Sequence, residues 1–226
     1  MWITHFRMKQ NMNTAKIVAI TNPLVEGVDT ADQFIAYAAR VSNPSNQMNN
    51  ETSEKLLKYC IRNKHFSVFE MVNVVMEIET TRDIARQVLR HRSFAFQEFS
   101  QRYADPTKDL GFVTREARLQ DTKNRQNSVE TDDKELADWW VRAQLEVWGT
   151  ADLVYREAIN AGIAKEQARA VLPEGLTLSR LYMNGTLRSW IHFCELRMGN
   201  GTQKEHREVA TSAWNQLALY FRFLTA

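Results

Sequence analysis

Between residues 90 and 103 the chain reads RHRSFAFQEFSQRY, which sets three arginines, a histidine, a glutamate, two glutamines and two serines among four aromatic side chains. Arginine is a permanent cation with a planar fork of donors, suited to phosphate, carboxylate or a base edge. Several arginines converging on one place repel one another unless an anion lies between them, so the motif asks for a negatively charged ligand. The amides and the carboxylate beside them add acceptors to the donors, a combination suited to directional recognition of a nucleotide. The plainer account is a solvated basic face paired with acids. Against it, the donors continue across an expected helix, turn and strand.

The helix that carries the motif is RDIARQVLRHR, with Thr81 as its cap. It buries Ile84, Ala85, Val88 and Leu89, and it lines up Arg82, Arg86 and Arg90 at i, i+4 and i+8. Gln87 precedes Arg90 by three positions and His91 by four, which gathers all three at the helix end. If FQEFSQRY is extended, Glu98, Ser100 and Arg102 project from one face, and Gln97, Phe99, Gln101 and Tyr103 from the other.

Upstream, KIVAIT (16–21) reads as a strand, TADQFIAYAARVS as a helix ending near Asn43-Pro44, ETSEKLLKYCIRN as a helix, and VNVVMEIET (72–80) as a β-branched strand. Residues 104–135 form a polar, charged stretch, expected to be a solvent-facing excursion in which GFV is a possible strand. Residues 134–161 suit a long helix with Leu136, Trp140, Ala143, Val147, Val154 and Tyr155 on its apolar side, and Gly162 as its C-cap. AKEQARAVL is a helix stopped by Pro173, LTLSRLYM a strand before Asn184-Gly185, and TLRSWIHFCELRM and TQKEHREVATSAWNQLALYFRFL the final helices. Tryptophans 139, 140, 148, 190 and 214 are assigned to core or subunit contacts, Cys194 to core packing, His65 to local structure, and His5 and His206 to the surface.

Composition bounds the rest. In 226 residues, 44% hydrophobic content is enough for a core, and 29 basic against 27 acidic residues leave a net charge of +2 that names no partner. No apolar run approaches the roughly 20 residues that span a bilayer. The N-terminal WITHFRMKQNMN has no uninterrupted apolar region, so a soluble, cytoplasmic chain is expected. Cys60 and Cys194 have no C-x-x-C companion, which predicts reduced thiols and no zinc site.

The fuller pattern R-H-R-x-x-x-x-Q-E-x-S-x-R-Y resembles the signature of the flavin-dependent thymidylate synthases. AARVS (38–42), HFSVFE (65–70), QARAVLP (167–173) and GTLRSWIHFCELR (185–197) resemble further family segments in the same order, so the likeness spans roughly residues 30 to 210. Gln97 stands where many members have asparagine, Gln101 where some have glycine, and Thr186 where some have asparagine.

The resemblance implies a single α+β domain over residues 1–226, an antiparallel β-sheet core flanked by long helices. It implies reductive methylation of dUMP to dTMP, with 5,10-methylenetetrahydrofolate as carbon donor and FAD, reduced by NADPH, as hydride source. No protein nucleophile and no metal are required. By similarity, dUMP contacts Gln87, Arg90, Glu98, Phe99, Ser100, Gln101, Arg102, Arg169 and Arg197. FAD contacts Ser42, Ser67, Arg90, His91, Arg92, Glu98, Thr186, Leu187, Arg188 and His192. Arg197 is the residue expected to activate the uracil ring, by stabilising it when ionised at N3.

Arg188 and His192 share a helix face, whereas Arg197 lies near 180° from Arg188, so the helix is expected to serve a composite pocket. That fits the family's homotetramer, whose sites draw on more than one subunit; no nucleic-acid or membrane partner is implied. Two other classes remain open. A nucleic-acid-binding module would stack bases on Phe94, Phe96, Phe99 and Tyr103. A hydrolase would use His91 and Glu98 as acid and base.

Overall fold

The computed structural model describes residues 12–225, so His5 lies outside the described residues. Strand β1 (Thr14–Ile20) leads to helix α1 (Ala31–Ala39), which opens with a capping box. Thr30 accepts from the Gln33 N–H, and the Gln33 side chain accepts from the Thr30 N–H. After α2 (Ser53–Arg62) the chain enters β2 (Asn73–Thr81) and passes directly into α3 (Arg82–Val88). Thr81 occupies the N-cap position of α3, but its hydroxyl donates to Asp83 at 2.6 Å and caps no backbone N–H.

Then follow β3 (Ala95–Glu98), α4 (Pro106–Asp109), β4 (Arg118–Gln120), β5 (Ser128–Glu130), α5 (Lys134–Asn160) and α6 (Lys165–Ala168). The chain ends in β6 (Leu178–Thr186), α7 (Leu187–Arg197) and α8 (Lys204–Tyr220). The main sheet is antiparallel throughout, in the order β1-β2-β6-β3, and β4 and β5 form a separate hairpin. This is the α+β arrangement expected from the sequence.

The sheet's buried face takes alternate residues of β2 (Val74, Met76, Ile78) and of β6 (Leu181, Met183), packed under Trp190, Ile191 and Cys194 of α7 and Val209, Ala213 and Leu217 of α8. The Trp190 indole N–H donates to the Val74 carbonyl at 3.0 Å, which satisfies the one polar atom of a fully buried ring. Because β2 runs straight into α3 and β6 straight into α7, the sheet fixes where both helices begin.

Further expectations differ from the structure. Asn184-Gly185 does not end β6, since Asn184 pairs with Val75, Gly185 with Val74 and Thr186 with Asn73. The glycine is needed for close approach: a Cβ there would lie 2.4 Å from Phe94 Cδ1. The polar excursion is not wholly solvent-facing, because Leu110, Phe112 and Val113 are buried and Phe112 stacks on Trp148 with centroids 4.5 Å apart. GFV contributes an isolated bridge, Phe112 to Thr177, in place of a strand.

Helix α5 starts where Asp133 accepts from the Leu136 N–H and ends before Gly162 at φ 85°. Its buried face is Gln144, Trp148, Ala151, Asp152 and Tyr155, rotated from the stripe expected. Trp148 and Tyr155 turn toward Phe112, Leu172 and Leu176, which leaves Trp139, Trp140, Val147 and Val154 exposed.

Candidate active site

The end of α3, the end of α7 and the start of α8 meet around three side chains expected at a ligand. Arg197 donates its Nε–H to His91 Nε2 at 2.9 Å, so His91 is neutral and carries its proton on Nδ1. Burial, then the Arg197 and Arg90 charges, push the His91 imidazole down to about 4. Gln87, one turn earlier, donates to Gln203 Oε1 at 2.8 Å and sets its own Oε1 3.3 Å from His206 Nδ1. His206 is buried, its Nε2 has no hydrogen-bond partner, and burial followed by Arg197 and His91 brings it down to about 3. Phe193 lies against both imidazoles, 4.9 Å from the His91 ring and 5.8 Å from that of His206. Gln203 in turn donates to Glu205 at 2.9 Å, and Glu205 is paired with Arg118 of β4.

A second group lies at the other end of α7. Ser67 and Arg188 line a cavity of about 550 Å³ with Cys60, Lys64 and His65, and Arg188 donates to Glu70 at 2.7 Å. Thr186 caps α7 by accepting from the Ser189 N–H at 3.2 Å, and His192 packs on Phe66 with centroids 4.8 Å apart. Ser42 lines a neighbouring hollow of about 570 Å³ that shares Ala39, Leu56 and Tyr59 with the first. The Leu187 side chain is fully buried in the core, which leaves only its backbone for any ligand.

Past β3 the chain does not stay extended. The strand stops at Glu98, the Ser100 carbonyl accepts from Tyr103 and Ala104, and the Ser100 hydroxyl accepts from the Arg102 N–H at 3.3 Å. The expected face of Glu98, Ser100 and Arg102 therefore does not form. Phe99 is drawn into a cluster with Leu110, Val113 and Leu178, and the serine's local bonds favour a turn over further pairing. Arg102 donates to the Glu166 carboxylate at 3.2 Å and Arg169 to the Glu166 backbone carbonyl at 3.3 Å, so both arginines contact the same residue. Gln101 is buried with its Nε2 unpartnered.

The basic face of α3 divides. Arg82 and Arg86 lie 3.5 Å and 3.6 Å from Glu98 and are also close to Glu174, whereas Arg90 and Arg92 are exposed with no ion pair among the described residues. Ser179 also donates to Glu98, at 2.9 Å.

Residues 23–221 match the family described as "Thymidylate synthase complementing protein". A protein of Paramecium bursaria Chlorella virus 1 named "Probable flavin-dependent thymidylate synthase" is 52% identical over 199 residues, 88% of this chain and 91% of that one. The chain belongs to the flavin-dependent thymidylate synthases.

A member from Synechocystis sp. is 48% identical over 201 residues, 88% of this chain and 91% of its own. Among solved structures, the UMP/dUMP methylase PolB of Streptomyces cacaoi, bound with 5-Br dUMP, superposes with a TM-score of 0.77 at 25% identity, covering 93% of this chain and 92% of that one.

For a flavin-dependent thymidylate synthase, the alternative readings lose their physical basis. His91 gives its lone pair to Arg197, and Glu98 is held among Arg82, Arg86 and Ser179, so the two form no acid–base pair. Phe94 is wedged against Trp190 and Phe193, and Phe99 sits in its own cluster, so neither is free to stack on a base.

Sequence reasoning missed His206, Gln203 and Glu205. His206 was expected on the surface, yet it is buried. The available signal was its spacing from Val209, Ala210, Ala213 and Leu217, which places it on the apolar stripe of α8.

Proposed function

We propose that the protein methylates C5 of dUMP to give dTMP, taking the one-carbon unit from 5,10-methylenetetrahydrofolate and using FAD reduced by NADPH, in the cytoplasm and as a homotetramer with shared sites. The family membership supports the reaction and the flavin.

The observation that carries the site is the Gln87, His91, Arg197 group, where a fixed cation is aimed by a neutral imidazole. With its Nε–H given to His91, Arg197 keeps both terminal nitrogens for a ligand. There the guanidinium stabilises negative charge on uracil ionised at N3, which makes C5 a better nucleophile without any protein nucleophile. Arg102 and Arg169, each bonded to Glu166, supply cations for a phosphate, and Gln87 an amide for the base.

The donor set also fits a flavin dinucleotide. Arg90 and Arg92 are exposed cations without an ion pair among the described residues, and Ser67 and Arg188 line a cavity suited to a polar, phosphate-bearing group. Bound there, the flavin supplies the hydride. The Arg188 and His192 surroundings differ from those of Arg197, as expected of a helix facing two ligands. Purified protein should be yellow, with an FAD absorbance that bleaches on adding NADPH. A colourless protein that refuses added FAD overturns the proposal.

A further inference from the structure

Resting on the reading that Gln87 faces the nucleotide, we propose that Glu205 is a positioning residue that sets the donor–acceptor direction of the Gln87 amide, acting through Gln203. The two ends of a carboxamide are nearly the same shape, so a glutamine's polarity is decided by its neighbours. Here the decision begins at Glu205. Burial pushes its carboxyl up, but the Arg118 contact, its own backbone N–H and the Arg115 and Arg118 charges outweigh that and hold it below the ordinary carboxylate value. An ionised carboxylate can only accept.

Gln203 must therefore turn Nε2 toward Glu205, at 2.9 Å, and Oε1 toward Gln87, at 2.8 Å. Gln87 must answer with Nε2, which leaves its Oε1 facing His206 Nδ1 at 3.3 Å. His206 then carries its proton on Nδ1, consistent with an Nε2 that is buried and has no partner. Gln87 has one N–H left for a ligand, matched to a pyrimidine carbonyl and mismatched to an exocyclic amino group. Because Arg118 lies on β4, the hairpin of the polar excursion anchors the relay.

Glu205→Gln keeps the shape but lets Gln203 adopt either direction. In the FAD-loaded protein, ¹⁵N NMR of the imidazoles should change from one His206 tautomer to a mixture. Calorimetric binding of dUMP should weaken about tenfold, with a smaller loss for dCMP, so that discrimination between them falls. Gln203→Met, which cuts the relay without touching the Arg118–Glu205 pair, should do the same and covers the case in which Glu205→Gln fails to fold. An unchanged His206 tautomer together with unchanged dUMP affinity overturns the proposal. Gln87→Leu separates the two layers. If it leaves dUMP affinity intact while Glu205→Gln still shifts the tautomer, the relay stands and the placement of Gln87 at the nucleotide falls.

Discussion

The imidazoles of His206, buried, and His91, half-buried, make a quantitative claim about acid. Each ring loses its proton in solution near 6.5, whereas in the folded protein His91 does so near 4 and His206 near 3. Between these values the unfolded chain holds protons that the folded chain refuses, and stability rises with pH wherever the unfolded state binds more protons. The stabilisation is therefore complete above about pH 6.5 and is lost as pH falls from there toward 4 and then 3. Going from pH 7 to pH 5 costs about 2 kcal/mol for each fully shielded imidazole by proton linkage. His91 is only part-buried, so its share is smaller and the pair is expected to cost about 3 kcal/mol. Against the opposing effect of burial, the Glu205 carboxyl is held below its ordinary value by the Arg118 contact. Urea unfolding at pH 7 and pH 5, at fixed protein concentration, measures the drop directly. His206→Gln should remove about half of it or more, whatever it does to stability at pH 7, because the slope with pH and not the intercept reports the ring. An unfolding free energy equal at the two pH values within about 1 kcal/mol, or a His206→Gln protein with the full drop, refutes the reasoning.

Gly185→Ala should cost about 1–3 kcal/mol by overpacking against Phe94, or roughly 2–4 °C of Tm for each kcal/mol in a chain of this size. Phe94→Leu in the same chain should recover part of that loss in calorimetry, and purely additive losses would show that the two residues do not meet. Cys194→Ala should keep flavin absorbance and turnover, because the thiol is fully buried and burial pushes it far above its ordinary value. Abolished turnover with fold and flavin intact would instead make it a nucleophile.

Local pattern revealed the elements whose period is set by one buried face. VNVVMEIET alternates because β2 has one face on the core, and Leu57 and Cys60 mark the buried side of α2. The α5 stripe misled because the helix carries two apolar stripes, and only the partners Phe112 and Leu172 select Trp148 and Tyr155. That β3 stops at Glu98 is only half local: Ser100 bonds a turn with its next neighbours, but the Phe99 ring is captured by Leu110 and Val113 from farther along the chain. The site is half legible for the same reason. RHR and Gln87 are neighbours in sequence, but Arg197 meets His91 across 106 positions and Gln203 meets Gln87 across 116, contacts that only the β2–β6 pairing creates.

Helix α7 also works as a gauge. Its core residues Leu187, Trp190, Ile191, Phe193 and Cys194 are all buried, so it cannot roll or slide without repacking the sheet beneath it. From Arg188 to Arg197 the axis advances about 13.5 Å at its rise of 1.5 Å per residue. Whatever occupies the Ser67 hollow and whatever meets the His91–Arg197 pair are thus held apart by one stiff rod. A change of tilt at one end must appear at the other, with its length preserved.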